Sequence, residues 1–210
     1  MLQFYLEHPY FIALIAALVI FALWVCYKAA KAGSRRNAAN EKTIKKIKEE
    51  NELTNEFAIL TESSILSADP ERLFKGIALN LQKRVSEKDD ILAEYNSLTD
   101  EQKEIYALYS VIDDGSEKLS LFFSASTKPL TTDAFGAFKH LYEGRAVEIF
   151  EKELLAYDSD NESISFIPEE IEKLDKEFKE IAPADEICKK AGEFIKPAPI
   201  NLFKAKEITK

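Results

Sequence analysis

Residues 134–154 read AFGAFKHLYEGRAVEIFEKEL, and two helical stripes cross this stretch with a glycine between them. Phe135, Phe138, Leu141 and Tyr142 share one stripe; Val147, Phe150, Leu154 and Tyr157 share the next. Gly144 is expected to end the first helix, so the pair predicts an antiparallel hairpin. No stretch alternates apolar and polar residues for long enough to demand a strand. The part of the chain built around this hairpin is therefore expected to be all-α.

The neighbouring segments carry their own start and stop signals. Upstream, Asp69-Pro70 places an N-cap before a first-turn proline, and Leu73, Phe74, Ile77, Leu81 and Val85 follow on one face, predicting a helix over 70–86. Ile91, Leu92, Tyr95 and Leu98 form a short amphipathic turn or two. Thr99 with Gln102 has the capping-box spacing ahead of Ile105, Leu108, Tyr109 and Ile112, which predicts a helix over 100–113. After a turn at Asp113-Asp114-Gly115-Ser116, the residues Leu119, Leu121, Phe122 and Phe123 read as a short core element. Pro129 breaks the chain, and Thr131 or Thr132 can cap the helix that carries Phe135 and Phe138. Downstream, Pro168 opens a helix with Ile171, Leu174, Phe178 and Ile181 on its stripe. A last helix runs from Ala184 with Ile187, Ala191, Phe194 and Ile195, and Pro197 and Pro199 stop it.

At the other end of the chain, residues 10–27 read YFIALIAALVIFALWVCY and carry no charge. A helix of that length spans roughly 27 Å, close to the hydrocarbon thickness of a bilayer. Tyr5, Tyr10, Trp24 and Tyr27 lie near its ends, where amphipathic rings prefer the interface. Residues 28–50 hold eight basic and three acidic side chains, whereas the other flank carries Glu7 and His8. The positive-inside rule then places the N-terminus outside and the remainder in the cytoplasm, in a single-pass inner or plasma membrane protein. A cleaved signal peptide fits less well, because no Lys or Arg precedes the apolar run. Beyond Glu41, Ile44, Ile47, Phe57 and Leu60 recur at helix-like spacing and suggest a helical stalk. The expected organisation is an anchor over 1–33, a basic linker or stalk over 34–68, an acidic all-α domain over 69–196 and a basic tail over 197–210.

Charge and composition restrict the chemistry. From Asn51 onward there are 20 basic and 33 acidic residues, a net of −13. Six glycines, two cysteines and two histidines leave little material for a phosphate-cradling loop, a disulfide framework or a zinc cluster. Cys26 and Cys188 read as structural thiols. Asp158, Asp160 and Glu169 have calcium-loop spacing, but Ser163 stands where the sharp turn needs glycine, so a solvated acidic loop is expected. His140 sits in a helix without a metal-ligand spacing, and Ser124 and Ser126 lack a nucleophile-elbow context. No catalytic, cofactor-binding or metal residue is assigned, and no enzyme is expected. Acid pairs such as Asp113/Asp114, Glu151/Glu153 and Glu169/Glu170/Glu172 read as exposed faces that secure solubility. Carboxylates spaced along helices can also imitate a row of phosphates.

Taken together, Tyr106-Ala-Leu-Tyr109, Asp114-Gly115, LSLFFSAS (119–126), the stretch 134–154, IEKLDKEFKEI (171–181) and AGEFIK (191–196) resemble a small helical family typified by a dimeric bacterial DNA-mimic protein. Glu117 and Lys118 stand where that family carries a glycine pair. The likeness covers residues from about 105 to 196. It implies an acidic, non-enzymatic helical module that binds proteins and can act as a homodimer. The expected function is a membrane-anchored interaction module facing the cytoplasm, with the lipid bilayer and a protein as partners and no direct contact with nucleic acid. The alternative is a tethered mimic that sequesters a basic nucleic-acid-binding protein.

Overall fold

The computed structural model describes residues 24, 28, 40–41, 43–115, 117–158 and 167–197. The chain divides into two units, Met1–Glu49 and Glu50–Lys210. Among the described residues no helix is long and apolar enough to cross a membrane. The expected span at 10–27 lies outside them except for Trp24, above whose ring the Lys28 ammonium sits at 5.6 Å. In the first unit residues 43–49 are helical, and Ile44 and Ile47 are exposed.

The second unit is all-α among its described residues, and its first four helices start where a side chain satisfies a leading backbone donor. They are α1 (Glu62–Ser67), α2 (Pro70–Ser86), α3 (Ile91–Asn96), α4 (Asp100–Gly115), α5 (Leu119–Ala125), α6 (Leu130–Leu141), α7 (Arg145–Tyr157), α8 (Pro168–Ile181) and α9 (Ala184–Ile195). Asp69 caps α2 by accepting from the Arg72 amide at 3.1 Å. The Thr99 hydroxyl accepts from the Gln102 amide, and the Gln102 side chain accepts from the Thr99 amide, both at 3.2 Å. That is the reciprocal box expected at the head of α4. The cap expected from Thr131 or Thr132 is not made: α6 begins at Leu130, Thr131 is buried, and the Thr132 hydroxyl donates to the Pro129 carbonyl at 2.6 Å.

The body also begins earlier than Asp69. Residues 50–56 are helical, and Leu53, Phe57 and Ile65 are buried in the core rather than standing in a stalk. Asn80 donates to the Thr54 carbonyl at 3.0 Å, and Arg72 pairs with Glu56 at 2.5 Å, which ties this segment to α2. Phe57 covers Gly76, where an added Cβ would collide with the ring. Ile44 and Ile47, by contrast, share no burial with Phe57, so the four-residue stripe splits between the two units.

Helix α4 is the hub, packed against α2, α5, α6 and α9. The α2–α9 pair closes the body by joining its early and late helices. Phe138 centres an aromatic cluster, stacked on Tyr142 at 4.6 Å and Phe150 at 4.8 Å and tilted against Phe178 at 5.5 Å. Such ring pairs add about 0.5–1.5 kcal/mol each beyond their area burial. Helices α6 and α7 pack together across a short connection in which Gly144 has φ 63° and ψ −130°. Tyr142 already terminates α6, so Gly144 serves as the entry to α7 rather than the end of α6. Nothing lies within 4 Å of a Cβ built there, so Gly144→Ala suffers backbone strain alone. It is expected to lose about 1 kcal/mol of stability, read as a lower denaturant midpoint with an unchanged slope.

Several stripes are rotated relative to the expected ones. On α7 the buried residues are Ala146, Ile149, Phe150 and Glu153, while Val147, Leu154 and Tyr157 are half-buried. On α9 they are Ile187, Cys188, Ala191, Gly192 and Ile195, and Phe194 is 51% exposed. Ile91 and Leu92 are exposed, so α3 is held through Tyr95, whose hydroxyl donates to Asp133 at 2.6 Å.

Candidate functional site

Three helices leave an apolar recess between them. Ile105 and Leu108 of α4, Ala137 and Leu141 of α6, and Ala191 and Ile195 of α9 form its walls, with Glu101, Glu104 and Phe194 completing the lining. Helical spacing puts Glu101, Glu104, Ile105 and Leu108 on one stripe of α4, so carboxylates stand at one end of an apolar row. The volume, about 50 Å³, is far below the roughly 300–1,000 Å³ of small-molecule sites. Its size suits at most one apolar side chain, inserted in part from another polypeptide segment.

The rim carries the chain's one described histidine. His140 Nδ1 lies 3.4 Å from Glu104 Oε2, and its ring stacks on Phe194 with centroids 5.6 Å apart. His140 is thus exposed at the rim and has an acid beside it. Burial raises the Glu104 carboxyl above its ordinary range, the histidine opposes that shift, and Glu101 and Asp100 add to it. The serines do not extend this pair: the Ser124 hydroxyl donates to the Leu121 carbonyl at 2.9 Å. Asp158, at the head of the calcium-spaced loop, lies 2.9 Å from the Lys128 ammonium. The rest of that loop up to 166 lies outside the described residues. No group of three or more His, Cys, Asp or Glu side chains able to hold a metal occurs among the described residues.

A second polar group is buried in the body. Asp175 of α8 is 4% exposed and accepts from the Ser120 amide at 2.8 Å and the Ser120 hydroxyl at 2.7 Å. It thereby occupies the first turn of α5, where Lys118 offers no side-chain cap. Glu153 of α7 is fully buried, and neither carboxyl oxygen has a hydrogen-bond partner. Burial first, and the nearby Asp175 second, push the Glu153 carboxyl up to about 8. It is therefore a neutral acid near pH 7.

Glu151 and Glu153 are thus not the solvated pair expected of them: Glu151 is exposed, Glu153 is not. The signal was present in the register. Glu153 follows Ile149 and Phe150 by four and three positions, and Asp175 falls between Ile171 and Phe178 at the same steps. Ser120→Ala removes one of the two bonds to Asp175 and is expected to cost about 2 kcal/mol, measured by equilibrium urea unfolding. Ser124→Ala, on an exposed hydroxyl, should change the midpoint little.

Chemically, the recess offers apolar burial beside negative charge. Comparison of the chain with protein-family profiles, with curated proteins and with solved structures found no match to any of them.

Proposed function

We propose that the protein is a non-enzymatic interaction module, tethered to a membrane by residues 10–27, whose helical body faces the cytoplasm and docks an apolar segment of a protein partner. The observation that carries this reading is the recess between α4, α6 and α9, with the half-exposed Phe194 at its edge and Glu101 and Glu104 on its rim. An exposed aromatic beside a small apolar socket is the composition of an interface anchor. The uncharged run and its basic flank support the tether.

Phosphate mimicry, the alternative that the family likeness raises, is less well supported. Many exposed carboxylates are already matched within the body. Glu177 takes both the Nε and Nη2 donors of Arg145 at 2.7 Å, and Glu172 and Glu186 pair with Lys176 and Lys190 at 3.0 Å. A mimic needs such charges free to face a basic groove.

The test is affinity capture from detergent extracts with the full chain and with its Phe194→Asp variant. Proteins retained by the wild type through added salt and lost by the variant support the reading. Identical captures by both chains overturn it, and a capture set of nucleic-acid-binding proteins released by salt favours mimicry instead. Digestion of the body by protease added to intact cells would remove the cytoplasmic placement.

A further inference from the structure

The recess lies beside the last described residues of the chain. Ile195 and Phe194 line it, α9 ends at Ile195, and the described residues stop at Pro197. The next residues, outside the described ones, read Ala198-Pro199-Ile200-Asn201-Leu202-Phe203-Lys204-Ala205-Lys206. Three bulky apolar residues are thus followed by two lysines, in the segment that starts beside an apolar recess rimmed by two glutamates. Residues 198–210 carry three lysines and one glutamate, opposite in sign to the acidic body.

We propose that the chain's own segment Ile200–Lys206 is the resident occupant of the recess. Leu202 or Phe203 fills the socket, and Lys204 and Lys206 lie against Glu101 and Glu104. This inference rests on reading the recess as a docking site and adds its regulation: an outside partner must displace the tail.

Reach is sufficient. Leu202 is five residues beyond Pro197, which spans up to roughly 17 Å of extended chain. Residues Glu101 to Leu108 occupy only about 10 Å of helix. A tethered segment also acts at an effective concentration in the millimolar range, well above that of a second copy or a free partner. The half-buried Glu104 supplies charge in a partly desolvated setting, where attraction to lysine is screened less than on open surface.

The test is a cysteine pair in the full chain, kept in detergent with Cys26 replaced by serine. Phe194→Cys together with Leu202→Cys is oxidised with copper phenanthroline at dilute protein concentration. The expected product is a disulfide within one chain, seen as loss of maleimide-reactive thiols at monomer mass. It should form at least tenfold faster than in the pair Ile59→Cys with Leu202→Cys, because Ile59 is 83% exposed and does not line the recess. Adding Glu101→Lys and Glu104→Lys should slow it severalfold. Equal rates for the two pairs, a disulfide between two chains, or none at all would overturn the proposal.

The two readings fail separately. A fast intrachain link with identical captures by wild type and Phe194→Asp keeps the tail contact and removes the partner reading. No link, with capture still dependent on Phe194, does the reverse.

Discussion

Gly192→Ala is expected to be the most damaging single-methyl change in the body, lowering stability by about 3 kcal/mol or more. Gly192 lies on the buried face of α9 where it crosses the first turn of α2, and an added Cβ would fall on the Pro70 carbonyl, carbon and Cα. These are backbone atoms of a capped helix start, so no side chain can swing aside. The helices must separate, and the separation is felt across the α2–α9 interface that closes the body. In thermal unfolding of the full chain the midpoint should fall by about 10 °C. Gly136→Ala is the matched control: nothing lies within 4 Å of a Cβ there, and α6 should gain slightly from losing a glycine. Equal stability for Gly192→Ala and the wild type would show that α9 does not approach α2 this closely.

The second large effect is pH-dependent. In the folded chain Glu153 holds its proton up to about 8, whereas an ordinary glutamate releases it near 4.5. Between those values the unfolded chain is ionised and the folded chain is not. Stability therefore falls as pH rises through this window and levels off above the folded value. Glu153→Gln removes the titration while keeping the shape. Its amide is still unpartnered, so the gain near pH 6 should be modest. The advantage over wild type should then grow by about 3 kcal/mol between pH 6 and pH 9. Urea unfolding of both chains at the two pH values measures this directly. Parallel pH profiles would mean that Glu153 finds a partner or water in solution.

Local chemistry made much of the fold legible. Asp69-Pro70 and the Thr99/Gln102 box are short-range capping interactions, and both helix starts appear where they were expected. The rotated stripes have a different origin. On α7 the bulk of Val147 and Leu154 drew the apolar face toward them, yet tertiary packing buries Ala146 and Glu153 instead. Small residues and lone acids carry little weight in a hydrophobic pattern, although they permit the closest helix approach or occupy a closed polar pocket. The recess was hidden for the same reason. Phe194 reads as a core residue from its spacing, yet the packed face of α9 is the one that carries Cys188 and Gly192, which leaves Phe194 half-exposed. Its neighbour His140 pairs with Glu104, 36 positions away in sequence, a pairing that spacing alone does not specify.

The joining of α2 to α9 also sets an order of events during synthesis. A ribosome adds about 5–20 residues each second, and Gly192 follows Pro70 by about 120 positions, so α2 emerges roughly 6–24 s before the helix that covers it. During that interval the part of α2 that packs on α9 is uncovered, and the nascent body offers it to whatever chaperone waits at the tunnel exit. Translation pauses placed after α2 has emerged and before α9 has left the tunnel should lengthen that exposure.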